Sequence, residues 1–326
     1  MPVFPFCGTK SAATKAIPPK PLSESSSMTQ QDETEAEKLF RPYASNNKFV
    51  QFTLDEGLDV LVLNKGSFKL NQGYSDKRVV LALRDYIHDK ITLQDASRTI
   101  RDFISGNEAS FGSCMLHTAS KIPYQHPTGQ PRLVQLLRDV YYDFSWGWRN
   151  QFRQTIYENS GLVIEIESDE TDRVTPGDPI QQSINLVAFF ARLSQDGTFD
   201  MTSHGLTTMG FLEENRDIQS ADWADCSVRM AALWIILAGQ RLYTQIVEAP
   251  PITKEGEEEM KMVSGGTSRL YTGPVYGRAR WNFWYGKLSA ATDREDLSAE
   301  SRDLAKNAAE LMDVIDRSLS ASKNLG

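Results

Sequence analysis

Apolar residues that recur every three or four positions constrain this chain more than any other feature. Near the C-terminus, apolar residues from Leu304 to Leu319 are separated by 4, 3, 4 and 4 positions. This spacing places the side chains on one face of an α-helix. We therefore predict a helix there, and one after each residue that favours a helix start, namely Ser75, Thr92, Pro131 and the pair Asp178-Pro179.

Two central segments are apolar on more than one face. Residues 178–193 have apolar side chains around most of the helix, which predicts an element wrapped by its neighbours. Residues 221–247 predict a long helix with a buried middle at 230–237, and Asp222 and Asp225 stand where they could bind its first N–H groups. With shorter helices at 149–157 and 203–213, the predicted fold is an all-α, single bundle-like domain.

The N-terminal part does not follow the helical pattern. Apolar residues alternate between Lys48 and Leu63 around a turn that contains Gly57, which predicts a short β-hairpin. Residues 1–38 are rich in Ser, Pro, Thr and Lys and predict a disordered leader ahead of a helical domain at 39–326. Whether residues 1–27 belong to the mature chain is open, since Met28 could also be the start.

Charge and apolar content argue against two classes of partner. The 35 Lys and Arg residues against 43 Asp and Glu give a net charge of −8, the wrong sign for general attraction to nucleic acid. The longest apolar stretch, 230–239, is about half of the roughly 20 residues that a membrane span needs, so we expect no membrane insertion. The three cysteines, Cys7, Cys114 and Cys226, are widely spaced and odd in number, which favours a reducing compartment, the cytoplasm, with the nucleus left open.

The motifs that signal common chemistries are missing from the sequence. It contains no GxGxxG, GxxxxGK[ST] or GxSxG pattern, and its four histidines are not spaced as metal ligands. The acidic clusters 169–172 and 213–217 lack the spacing that would chelate a metal from one helix. We therefore predict no cofactor, metal site or catalytic residue, and the balance leans against an enzyme.

One segment is rich in aromatic and basic residues, between Tyr276 and Lys287. Aromatic side chains and arginine dominate binding hot spots, which makes Arg280, Trp281 and Trp284 candidate ligand contacts. Their helical spacing is also typical of a core-facing stripe, and we favour that interpretation. The other candidate contacts are His204, at a predicted helix start, and Arg241 and Tyr243, just past the apolar middle of the long helix.

Four blocks of sequence resemble a known family. They are "LALRDYIHDKITLQDASRTI" from Leu81, "INLVAFFARLSQDGTFDMTSHGL" from Ile184, "AALWIILAGQRLY" from Ala231 and "GPVYGRARWNFWYGKL" from Gly273. In order and spacing they resemble the fungal domain-of-unknown-function family 3632, over about residues 81–315. The resemblance implies a fungal source, an all-helical fold and an intracellular location, and it brings no established activity, cofactor or catalytic residue. The chain departs from the pattern at Val187, where the family has Asn, at Thr207, where it has an aromatic residue, and at residues 284–287.

Two hypotheses of function follow. The first is a non-catalytic helical module that binds another protein or an apolar small molecule. The alternative is an enzyme of fungal specialised metabolism that acts on an apolar substrate in a helical pocket, with His204 and Arg241 as polar contacts. The sequence leaves the ligand, the partner and the oligomeric state open.

Overall fold

The described part of the chain is built from α-helices. The computed structural model describes residues 77–104, 108–144, 179–214, 221–248 and 270–323, together with helical positions 147, 149, 150, 152 and 154. These ranges contain no β-strand, which confirms the all-α prediction. Their helices are α1 Lys77–Ile87, α2 Leu93–Ile104, α3 Glu108–Lys121, α4 Gly129–Tyr141, α5 Pro179–Asp196, α6 Thr202–Gly210, α7 Ala221–Val247, α8 Arg278–Ala291 and α9 Ala299–Lys323, and a short 3-10 turn, Phe211–Glu213, follows α6.

Side-chain caps fix the starts of two helices, of which the start of α2 was predicted from the sequence. The N–H of Asp95 donates to Thr92 Oγ1 at 3.2 Å, and this hydroxyl donates to the Asp95 carboxylate at 2.7 Å, so α2 begins as predicted. Ser298 binds the N–H of Ser301 at the start of α9 in the same manner. Asp225 has a different role from the expected one. It accepts the N–H of Ser298 at 2.7 Å, and therefore serves the start of α9 rather than that of its own helix α7.

Helix α7 is the centre of the fold and packs against α5, α6, α8 and α9. Its backbone leaves helical geometry at Ala238 (φ −142°, ψ 18°), which divides it into two helical segments. In the predicted buried middle, residues 230–235 are buried and Ile236 and Leu237 are partly exposed. By length and composition α7 could cross a membrane, and most of that stretch is buried inside the fold, which is also typical of a core helix.

Close packing between α6 and α7 depends on a glycine. A Cβ added to Gly205 would lie 2.7 Å from atoms of the Trp234 indole ring. Only a residue without a side chain therefore lets α6 rest on this buried tryptophan.

Helix α5 links the two halves of the described structure. It packs against α3 and α4 and also against α7, and every residue from Ser183 to Ala191 is buried. This agrees with the prediction of an element wrapped by its neighbours. Helices α1 and α2 form a hairpin that packs on α4.

Several predictions fall on other parts of the chain. The leader at 1–38, the hairpin at 48–63, and the helix-opening residues Ser75 and Asp178 lie outside the described residues, and the helix at 149–157 is described only in part.

Candidate functional site

An open groove of about 470 Å³ lies between α4, α5 and the middle of α7. Its apolar wall is formed by Pro131 and Val134 of α4 and by Leu237 of α7, one residue before the break in that helix. The polar side chains that line it are Gln135, Arg138, Arg192, Gln195 and Asp196. Apolar surface combined with a few fixed polar groups is the usual make-up of a small-molecule site.

Arg192 is the partly buried cation of this groove. Its Nη1 donates to Gln130 Oε1 at 2.7 Å and to the carbonyl of Ala188 at 3.4 Å, and its Nη2 donates to the carbonyl of Tyr124 at 3.0 Å. All three acceptors are uncharged. Burial lowers the pKa of Arg192 below its usual value.

A buried polar network holds Arg192 in place and closes the end of α3. The Gln130 amide donates to the carbonyls of Ala119, Ile122 and Asn185, at 3.3, 3.1 and 2.8 Å. The Asn185 side chain donates to the Ser120 carbonyl at 2.9 Å and accepts the N–H of Tyr124 at 3.0 Å. The last carbonyls of a helix have no partner within the helix, and here amides from α4 and α5 supply one.

The network continues from Asn185 towards a charged pair. Gln181 donates to Asn185 Oδ1 at 2.9 Å and accepts a hydrogen bond from Arg229 at 3.0 Å. Arg229 also pairs with Glu300 at 2.9 Å, and Glu300 accepts the hydroxyl of Tyr124. Burial, and after it the Glu300 carboxylate, raise the pKa of Tyr124 to about 12, so this phenol stays protonated and donates.

Arg138 and Asp196 form an ion pair at the rim of the groove. Arg138 Nη1 lies 2.7 Å from the Asp196 carboxylate, and Thr198 also donates to that carboxylate. The Arg138 side chain is about half exposed, whereas Asp196 keeps 16% of its side-chain surface. The negative charge of the groove is therefore already engaged by Arg138.

Two of the residues predicted from the sequence, Arg280 and Trp284, meet at a buried carboxylate. Arg280 Nε and Nη2 donate to the two oxygens of Glu213 at 2.6 and 3.1 Å, and Trp284 Nε1 donates to Oε1 at 2.7 Å. Arg280 also donates to the Val275 carbonyl at 3.0 Å. The Arg280 and Glu213 side chains are only 2% and 1% exposed. These contacts attach the 3-10 turn that follows α6 to helix α8, and they give Arg280 and Trp284 a structural role.

Tyr243 and Trp281 meet at a second contact between helices. Their rings pack edge to face with centroids 4.9 Å apart, and both residues are buried. The Tyr243 hydroxyl donates to Asp316 at 2.6 Å and accepts from Arg278 at 3.0 Å. This cluster joins α7, α8 and α9.

His204 and Arg241 lie near the connection between α5 and α6. The His204 ring stacks on Phe190 at 5.1 Å, and burial lowers its pKa to about 4, so the imidazole is neutral near pH 7. Arg241 lies beside Gly197, where a Cβ would be 3.5 Å from Nη1. Burial raises the pKa of Asp200, but hydrogen bonds from Thr202 and Gln245 and the charge of Arg241 lower it by more.

The six predicted contacts are thus spread over three places, and none of them lines the groove. In the structure Arg280 lies beside Trp284, and Tyr243 lies beside Trp281. All four residues are buried, and the helical spacing of Arg280, Trp281 and Trp284 had predicted such core positions. Their role in ligand binding stays a prediction. Within the described ranges, no three His, Cys, Asp or Glu side chains gather in a way that could hold a metal ion.

Comparison with known proteins identifies the family. A model of a family described as protein of unknown function (DUF3632) matches residues 113–288, just over half of the chain. The chain belongs to the DUF3632 family. This confirms the resemblance seen in the sequence. No curated protein and no solved structure gives a significant match.

The DUF3632 match contains the residues of the groove and the Glu213–Arg280 pair, whereas α1, α2 and α9 lie outside it. Sequence reasoning missed the groove. One signal could have pointed to it: Arg192 is the single cation in the 18 residues of α5, a helix that is apolar on most sides. A cation in such a position needs partners from other elements.

Proposed function

We propose that this member of the DUF3632 family is a non-catalytic binding protein that holds a small organic molecule in the groove between α4, α5 and α7. The observation that carries the proposal is the groove itself. Its volume of about 470 Å³ lies within the range of roughly 300–1,000 Å³ that is usual for small-molecule sites. Its wall offers apolar contact, and its amides and arginines can orient a ligand.

The arrangement of the side chains favours binding over turnover. Behind the groove, a network of polar side chains extends from Glu300 to Gln130, which accepts a hydrogen bond from Arg192. Such a network holds donors in fixed positions, which lowers the cost of ordering them when a ligand binds. A general base would need a carboxylate or imidazole free to accept a proton. The carboxylate of the groove, Asp196, is held by Arg138 and Thr198.

Native mass spectrometry tests the proposal on protein purified from cells that express it naturally. The variant Gln195→Trp places an indole at the exposed rim of the groove, and Asn307→Trp places one on the exposed face of α9 as a matched control. We expect the wild type and Asn307→Trp to carry the same additional mass of a small molecule, and Gln195→Trp to lose it. Apo masses throughout, or a ligand retained by Gln195→Trp, would contradict the proposal.

A further inference from the structure

Arg192 is a cation that the described part of the protein leaves without a counter-charge. Its three contacts are with the amide oxygen of Gln130 and the carbonyls of Ala188 and Tyr124. Within the described ranges Arg192 forms no ion pair. Burial is what lowers its pKa, with no compensation from an acidic neighbour. A partly buried charge with only neutral partners is costly, and the pairing with an anion offsets that cost.

The other charged groups of the groove do not meet this need. Asp196 is the acid in its lining, and it is bound by Arg138 at 2.7 Å and by the Thr198 hydroxyl. With that pair neutralised, the lining keeps one uncompensated positive charge, on Arg192.

The donors that Arg192 has left suit one kind of anion. A guanidinium has five N–H groups. Two on Nη1 and one on Nη2 are used by the described acceptors, so the Nε hydrogen and the second Nη2 hydrogen are available. Donors on neighbouring nitrogens match the two oxygens of a carboxylate in a bidentate pair.

We propose that the ligand of this groove carries a carboxylate, which pairs with Arg192, on an apolar body that packs against Pro131, Val134 and Leu237. This inference rests on the proposed function and adds the chemical class of the ligand. The network through Gln130 and Tyr124 keeps the guanidinium in place, so that an acid gains a charge-assisted pair that a neutral analogue of the same shape lacks.

The experiment compares two probes of nearly equal shape, hydrocinnamate and hydrocinnamyl alcohol, by ligand-observed NMR titration of the full chain. For the wild type we expect the acid to bind about tenfold more tightly than the alcohol, a difference of about 1.4 kcal/mol. Arg192→Gln keeps a polar side chain but removes the positive charge, and it should abolish the preference for the acid with a much smaller change in the affinity for the alcohol. Arg317→Gln, which removes an exposed arginine of α9 that does not line the groove, is the matched control and should keep the preference for the acid.

Each result has a distinct meaning. If the alcohol binds as tightly as the acid, and Gln195→Trp blocks both, the carboxylate inference is wrong and the binding function stands. If neither probe binds, the carboxylate inference fails, and the native mass comparison of the wild type with Gln195→Trp decides the binding function separately. If Arg192→Gln does not fold, the salt dependence of the wild type decides. Added salt should weaken binding of hydrocinnamate and leave the alcohol unaffected, and equal behaviour of the two probes would overturn the inference.

Discussion

The buried pair of Glu213 and Arg280 provides the sharpest test of how this fold is held together. The Glu213 carboxylate accepts three hydrogen bonds, two from Arg280 and one from the Trp284 indole, and both charged side chains are almost fully buried. Glu213→Leu leaves the guanidinium charged, buried and without its counter-ion. Removal of one partner of a buried pair costs about 3–5 kcal/mol, and the unsatisfied indole N–H adds about 1–3 kcal/mol.

Arg280→Met should cost a similar amount because it leaves Glu213 buried and charged. The double variant should be much less destabilised than the sum of the two. It removes both charges, and of the contacts described above it takes the partner from the Trp284 N–H and from the Val275 carbonyl, each at about 1–3 kcal/mol. We therefore expect the double variant to be about as stable as either single variant, or more stable.

Urea unfolding followed by far-ultraviolet circular dichroism measures these differences without relying on tryptophan fluorescence, which the pair itself affects. Arg317→Met is the matched control. It breaks an exposed pair with Asp313 in which the arginine is 70% exposed, and exposed pairs contribute about 0–1 kcal/mol. Our reasoning is refuted if Glu213→Leu costs less than about 1 kcal/mol or if the costs of the two single variants simply add.

Three further predictions concern the core. Asn185→Ala should lower the free energy of unfolding by about 2–4 kcal/mol in urea titrations, since it strips partners from buried groups at the end of α3; an effect below about 0.5 kcal/mol would show that water replaces the amide. The native pKa of His204, about 4, lies below the value of roughly 6.5 in the unfolded chain. The native state therefore binds a proton on this imidazole less readily, and the stability that the neutral ring allows is fully present above pH ~6.5. Between about pH 6.5 and pH 4 the protein should therefore lose roughly 3 kcal/mol of stability. His204→Gln should remove this part of the pH dependence of unfolding, and an unchanged pH profile would contradict the burial argument. Gly205→Ala should lower the melting temperature because the new Cβ would overlap Trp234. Gly286→Ala in helix α8 is the control: its Cβ would meet nothing within 4 Å, and the variant should raise the melting temperature by removing glycine's helix penalty of about 1 kcal/mol. Equal shifts of the melting temperature in the two variants would argue against the close contact.

The fold was largely predictable because its helices carry local signals. Thr92 caps α2, and α9 shows an uninterrupted apolar stripe. Helix α3 was missed, since its sequence, EASFGSCMLHTASK, has small and polar residues throughout. Its apolar side is buried by α5, and its last carbonyls are bound by Gln130 and Asn185, which are distant in sequence. Local propensity is overridden there by tertiary contacts.

The groove could not be found from local signals, because the properties of Arg192 depend on residues far along the chain. Gln130 and Tyr124 are 62 and 68 positions away, and Leu237 joins them only through the packing of α7 on α5. What the sequence does show is a lone cation within a helix that is apolar on most sides. Neutral carbonyls can position such a cation, as they do here, but they do not neutralise it. The described part of the fold therefore leaves the positive charge of Arg192 uncompensated, and an acidic ligand is the partner that this charge favours.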